Sequence, residues 1–204
     1  MKLYYMPGAC SLAAHIVLNE IDADFELVAV DPASKQTALG EDFRTISPNG
    51  YVPALSLDDG FALTEAPAIL QFLADANPAA GLAPDNATRE RAVLQQHLNF
   101  LASELHKAFA PFFSNPDLAG AEREAAIQRL SGRLDHLEAL LGDGRDYLLG
   151  ERFSVADAYA GVIASWANHI GIGLGAWPSV GAFVARVVAR PAAQDALRSE
   201  GLLN

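Results

Sequence analysis

The only cysteine of this 204-residue chain, Cys10, follows a Pro7-Gly8 turn and stands directly before an apolar-periodic run that begins at Ser11. A sulfur so placed lies beside the unbonded N–H groups of a helix N-terminus. Dipole and hydrogen bonds there favour a thiolate, and can draw a thiol pKa from about 8.5 to roughly 3.5–7.5. The competing reading is a small buried hydrophobe, the ordinary fate of a free cysteine. With no second cysteine in the chain, any disulfide takes an external thiol, and a Cys-only metal site within one chain is excluded.

Three further groups bear on ligand binding. Val52-Pro53 enters a candidate hairpin; a cis bond there would turn the Val52 N–H and C=O outward to pair with an extended peptide, although trans is the ordinary state. Thr64-Glu65-Ala66-Pro67 opens a helix, and such N-termini bind carboxylates through unbonded N–H groups, with Glu65 beside them as an acceptor for an ammonium. Together these suit the two charges of an α-amino acid end, while plain capping by Thr64 with Glu65 complementing the dipole explains the same residues. Lys35, one of three lysines, precedes the next helical stretch, where a cation holds an anionic ligand or is simply solvated.

A longer helix passes through residue 100. At 100° per residue, Leu94, Leu98, Leu101 and Leu105 fall within an arc of about 60°, and Asn99, Ser103 and His106 within a second such arc on another side. The first is a core stripe; the second is either the border of a cleft or an ordinary solvent face. Ser154-Val155-Ala156-Asp157 has capping-box spacing before an apolar helix, which is a folding device. His15, His97, His136 and His169 show no paired metal-ligand spacing, and no metal is expected.

The elements that position these groups divide the chain in two. Asn77-Pro78-Ala79-Ala80-Gly81-Leu82-Ala83-Pro84-Asp85 disfavours both helix and strand, so residues 78–85 read as a linker between domains 1–77 and 86–204. The first alternates: strand at Lys2–Tyr5, helix at Ser11–Glu20, strand at Phe25–Val30, a looser helix at Ser34–Ile46, a hairpin of Val52–Leu57 and Phe61–Leu63 about Asp58-Asp59-Gly60, then a helix over Thr64–Asp75. The order is βαβα-ββα, an α/β domain. The second reads as an all-α helical bundle with helices near 86–113, 121–142, 154–169, 178–189 and 191–199.

Composition sets the outer bounds. Hydrophobic residues make up 51% and charged residues 19%, with a net charge of −11, so the whole is not disordered. Without a Lys/Arg cluster, nucleic acid and an anionic membrane surface are both disfavoured as partners. No apolar stretch reaches about 18 residues, and the N-terminus meets Pro7 and Gly8 too early to serve as a signal peptide, so a cytoplasmic location is expected. Residues 1–77 hold three bases and eleven acids, a balance of −8, against −3 for the remainder.

Over its whole length the sequence resembles the glutathione S-transferases, specifically the bacterial beta class. The resemblance rests on MKLYYMPGACSLAAHIVLNE, SPNGYVPALSLDDG, LTEAPAILQFLAD, NFLASELHKAF and ERFSVADAY, in that order. It implies a thioredoxin-like first domain, a helical second domain, and an active site in the cleft between them. It further implies that Cys10 lies next to the sulfur of glutathione and can form a mixed disulfide with it, with His106 close to Cys10. Val52 before a cis Pro53 would pair with the cysteinyl part, Glu65 and Ala66 would hold the γ-glutamyl end, and Lys35 would face the glycyl carboxylate. Asn99 and Ser103 match cleft positions. Because some glutathione contacts in this family come from a second subunit, a homodimer is implied. Ala66 departs from the pattern, since many relatives carry Ser or Gly there; the missing hydroxyl is worth about 0.5–1.5 kcal/mol.

The implied reaction is conjugation of glutathione, as co-substrate, to a small hydrophobic electrophile, its thiolate stabilised by the first helix and by Cys10 or His106. An alternative makes Cys10 the nucleophile, giving mixed-disulfide or reductive-dehalogenation chemistry. A third reading, from another class, is a ligandin-like carrier that uses the same cleft without turnover.

Overall fold

The computed structural model describes residues 1–203. In chain order its elements are β1 (Lys2–Tyr5), α1 (Ser11–Glu20), β2 (Glu26–Ala29), β3 (Ala54–Ser56), β4 (Ala62–Thr64), α2 (Ala66–Ala76), α3 (Arg89–Phe100), α4 (His106–Ser114), α5 (Gly120–Leu141), α6 (Val155–His169), α7 (Pro178–Val188) and α8 (Pro191–Ser199). They form two units: residues 1–83 with 189–203, and residues 84–188.

The first unit is a four-stranded mixed sheet in the order β2-β1-β3-β4, with helices packed on it. Strand β1 runs parallel to β2, with Leu3 opposite Leu27, and antiparallel to β3, with Leu3 opposite Leu55. A parallel pair needs a crossover, and α1 supplies it. Asp59 and Gly60 close the β3–β4 hairpin: Gly60 takes φ +86°, and Phe61 N–H donates to Asp59 Oδ1 at 2.9 Å. Leu3, Val17, Leu18, Leu55, Ile69 and Leu70 are buried in this unit's core. The fold is thioredoxin-like, as the sequence led one to expect.

Two features differ from expectation. The looser helix at Ser34–Ile46 is not formed; only a single 3-10 turn, Phe43–Thr45, stands there. The Asp31 carboxylate accepts the N–H groups of Ala33 and Ser34 at 3.1 and 2.7 Å, while Lys35 and Gly40 take φ of +61° and +83°. A side chain that competes for backbone N–H groups, followed by two left-handed residues, is incompatible with a right-handed helix. Second, residues 189–203, read from the sequence as the end of the helical domain, cluster with the first unit. Arg190 grips Glu20 with a two-pronged ion pair at 2.6 and 2.8 Å, and Asn19 Nδ2 donates to the Ala192 carbonyl at 3.1 Å.

The second unit is all-helical. Helix α6 is buried along almost its whole length, so it has no polar stripe and forms the centre of the bundle. At Gly161 a Cβ would stand 2.7 Å from the Val187 side chain, so glycine lets α7 approach. Asp157 starts α6 as the sequence indicates: its carboxylate accepts from Ser154 N–H at 2.8 Å, Ser154 Oγ at 2.6 Å and Leu148 N–H at 2.7 Å. Leu94, Leu98, Leu101 and Leu105 are all buried. The helix expected over 86–113 is interrupted, since Leu101–Leu105 widens into a π turn between α3 and α4. Such turns shift the register of everything after them. Among the described residues, no helix is long and apolar enough to cross a membrane.

Candidate active site

Cys10 is built into the loop that links β1 to α1. Gly8 turns that loop with φ +70°, and the Ser11 hydroxyl both accepts from Met6 N–H and donates to Met6 C=O at 3.3 Å. The Cys10 thiol donates to the Val52 carbonyl at 3.2 Å. Burial pushes the thiol pKa up to about 12, and the nearby charge of Glu65 acts in the same direction. The N–H groups of Cys10 and Ser11 pull the other way and do not prevail. Of the two readings of Cys10, helix-stabilised thiolate or buried hydrophobe, its surroundings favour the second: at neutral pH Cys10 is a protonated hydrogen-bond donor, because desolvation of the anion outweighs the helix terminus.

The Val52–Pro53 peptide is cis. The loop before it is fixed by Ser47, whose hydroxyl donates to the Tyr51 carbonyl at 3.0 Å and whose own carbonyl accepts from Gly50 N–H at 2.7 Å. Lys35 lies against this loop: a Cβ at Gly50 would stand 3.6 Å from its Cδ and Cε. The left-handed backbone of Lys35 is held by its N–H bond to Asp31 C=O at 3.0 Å and by Phe43 N–H at 2.8 Å. Its ammonium has no ion pair among the described residues, unlike Lys2, which pairs with Glu26 at 3.0 Å.

At the start of α2, Glu65 rather than Thr64 occupies the cap position, with φ +70° and ψ 115°. Thr64 ends β4, so simple capping by its hydroxyl is not what the residue does. The Glu65 side chain caps none of the helix's N–H groups, and Pro67 has none to present. Ala66, buried, is therefore the residue whose N–H stands at the head of α2. A non-glycine residue in the left-handed region costs of order 1–3 kcal/mol, which is sustained where surrounding structure fixes it and is common at ligand sites. The first unit thus gathers Cys10, Val52, Pro53, Lys35, Glu65 and Ala66.

The second unit carries the other three expected residues on one stretch of chain. Asn99 and Ser103 are exposed. The Ser103 hydroxyl donates to the Asn99 carbonyl at 2.8 Å, a bond within its own helix. His106, half-buried, opens α4 just after the π turn. Its Nδ1 lies 2.8 Å from the Tyr159 hydroxyl, and Trp166 meets its ring edge-on at 5.0 Å. Burial, with help from Lys107, pushes the imidazole pKa down to about 4, so it is neutral.

Two supports went unseen in the sequence. Glu200, at the end of α8, accepts Gly8 N–H at 2.9 Å with one carboxylate oxygen and meets His15 Nδ1 at 2.9 Å with the other. It joins the Cys10 loop to α1 across 185 and 192 residues of sequence; no local pattern marks such a contact. Tyr159, the last residue of the ERFSVADAY stretch, was assigned no role of its own. Among the described residues, no cluster of three or more His, Cys, Asp or Glu side chains could hold a metal ion.

A small mixed sheet with a cis-proline loop beside a cysteine at a helix start, followed by an all-helical unit, defines a thioredoxin-like transferase architecture. Residues 1–75 match the family described as glutathione S-transferase, N-terminal domain, and residues 100–191 the glutathione S-transferase, C-terminal domain. Glutathione S-transferase GstA of Escherichia coli O157:H7 is 42% identical over 203 residues, covering 99% of this chain and 100% of that protein. A sphingomonad glutathione S-transferase solved in complex with glutathione is 48% identical, with a TM-score of 0.94, covering 99% of this chain and 100% of the other. The bacterial beta class glutathione S-transferase of Sphingomonas chungbukensis is 46% identical, also with a TM-score of 0.94, over all of both chains. The chain belongs to the glutathione S-transferase family, a family of enzymes.

Proposed function

We propose that the protein conjugates the thiolate of glutathione to small hydrophobic electrophiles. The observation that carries this reading is the Cys10 thiol held 3.2 Å from the carbonyl of Val52, the residue before the cis proline. In this reading the Val52 backbone pairs with the cysteinyl part, Glu65 takes the ammonium, Ala66 N–H takes the γ-glutamyl carboxylate, and Lys35 faces the glycyl carboxylate. His106 and Cys10 are neutral hydrogen-bond donors to the glutathione sulfur, the single S–H of Cys10 turning to it from the Val52 carbonyl as the ligand's cysteinyl part pairs with that backbone; Asn99 and Ser103 contribute surface, the Ser103 hydroxyl being already engaged. Phe109 and Phe113 pack on Trp166, which in turn meets His106, and Phe113 is exposed, which suits an apolar second substrate. The active species is a homodimer in the cytoplasm.

Against the alternative in which Cys10 is itself the nucleophile stands its protonated, buried state. Replacing Cys10 with Ala decides between them. Conjugation of a test aryl halide to glutathione survives in Cys10→Ala, and in the native enzyme iodoacetamide alkylates Cys10 slowly at pH 7–8, with a rate that climbs steeply above pH 10. Loss of conjugation in the variant, together with rapid alkylation at neutral pH, would show that Cys10 is the attacking group. Saturable glutathione binding without turnover on any electrophile would instead make the protein a ligandin-like carrier.

A further inference from the structure

Tyr159 lies in the middle of α6 and is only 2% exposed. A buried phenol hydroxyl needs a hydrogen-bonding partner, and this one stands 2.8 Å from Nδ1 of His106. The two rings meet edge to face, 6.1 Å apart at 78°. Trp166, two turns further along the same helix, covers the imidazole at 5.0 Å and 73°. Helix α6 is anchored by the Ser154–Asp157 box one turn before Tyr159, so the hydroxyl sits on a buried helix whose start is pinned. The other ring nitrogen of His106, Nε2, has no hydrogen-bond partner among the described residues.

A neutral imidazole carries one N–H, and the partner of one nitrogen decides which atom bears the proton. The bare imidazole nitrogen is a far better acceptor than a phenol oxygen, and the phenol O–H is a good donor. The bond therefore runs from Tyr159 O–H to Nδ1, and the proton of the ring resides on Nε2. Toward an anionic sulfur the two tautomers act oppositely: Nε2–H donates, whereas a bare Nε2 presents a repelling lone pair.

We propose that Tyr159 is a positioning residue whose hydroxyl fixes His106 as the Nε2–H tautomer and so presets it as a hydrogen-bond donor to a thiolate. This rests on the reading of the protein as a glutathione transferase. The tautomer itself does not depend on that reading, which separates the two in experiment.

The test is Tyr159→Phe, which removes one oxygen and keeps the ring. In the native enzyme labelled with 15N-histidine, the His106 resonances, assigned by their loss in His106→Asn, show the Nε2–H form. In Tyr159→Phe they move toward a tautomer mixture. The kcat for aryl halide conjugation at pH 6.5 falls about three- to tenfold, the size of one hydrogen bond, while KM for glutathione stays within twofold. The acid limb of the pH–rate profile moves to higher pH, because the bound thiolate loses part of its stabilisation. In a His106→Phe background the same change has no further effect on kcat.

A native His106 in the Nδ1–H form overturns the proposal, and this measurement stands even if Tyr159→Phe fails to fold. So does a variant with lowered thermal stability but an unchanged tautomer and pH profile, since Tyr159 would then be mere packing. If the native enzyme binds no glutathione, the functional reading fails while the tautomer result remains.

Discussion

The contact that ties the Cys10 loop to the C-terminal segment can be broken by one atom. Glu200 has a fully buried side chain, and its two oxygens serve Gly8 N–H and His15 Nδ1, both at 2.9 Å. Glu200→Gln keeps the shape but turns one acceptor into an NH2 group, which cannot accept from either partner. Hydrogen bonds involving charged groups contribute about 1.5–3 kcal/mol each, so Glu200→Gln lowers unfolding free energy by that amount. Glu200→Ala loses both bonds, strands a buried imidazole and opens a cavity, costing about 3–5 kcal/mol. Urea unfolding measures the totals, and amide hydrogen exchange at Gly8 locates the effect. Gly8 exchanges slowly in the native protein and faster in both variants, and the KM for glutathione rises as the loop that carries Cys10 loosens. The Leu202 side chain, which would stand 3.7 Å from a Cβ at Gly8, still covers the loop, so the site is weakened rather than lost. Unchanged Gly8 protection in Glu200→Ala would refute the reasoning, since the loop would then hold its shape without its tether.

Two other outcomes follow from the same geometry. Lys35→Ala raises the KM for glutathione about three- to tenfold with kcat little changed, as expected for a charged contact made equally before and during reaction; steady-state kinetics check it, and an unchanged KM removes Lys35 from the site. Asp157 is buried, and desolvation raises its carboxyl pKa to about 6 against hydrogen bonds from Leu148 N–H, the Ser154 hydroxyl and N–H and its own N–H, which lower it. Since the folded value exceeds the unfolded one of about 3.9, the associated stability is full below about pH 4 and lost as pH rises through 6. The difference amounts to roughly 3 kcal/mol. Urea midpoints taken from pH 4 to pH 6.5 therefore fall more steeply in the native protein than in Asp157→Asn, and parallel curves would contradict that assignment.

Features set by neighbours in sequence were legible; those set by distant ones were not. The Pro7-Gly8 turn before Cys10, the hairpin at Asp58-Asp59-Gly60 and the Ser154–Asp157 box each lie within a few residues, and each stands where local chemistry puts it. The helix at Ser34–Ile46 failed for a local reason that apolar spacing ignores: Asp31 gathers the N–H groups of Ala33 and Ser34 into a turn. The two readings of Cys10 stayed open because a helix terminus can be read from sequence, whereas burial and the approach of Glu65 come from packing. Glu200 and Tyr159 act across 192 and 53 residues, beyond any periodic pattern. The π turn at Leu101–Leu105 also breaks the constant 100° step on which the Asn99–Ser103–His106 arc was drawn.

The charge of the chain bears on what neutral sulfur donors bring to the proposed site. Residues 1–77 carry a balance of −8, and Glu65 already disfavours a negative charge on Cys10. Adding the glutathione thiolate to this field costs more than adding it to water, so its stabilisation has to come from dipoles at hydrogen-bonding distance. A cation would do this at long range, but it would be paired by the surrounding acids and screened over about 8 Å at physiological ionic strength. A buried thiol and an imidazole held neutral by burial face neither limit: they carry no charge to be neutralised, and each has one N–H or S–H to offer a sulfur in the proposed site. A donor without charge of its own is not drawn to the protein's acids, and in the proposed site it is left to act on the ligand's anion.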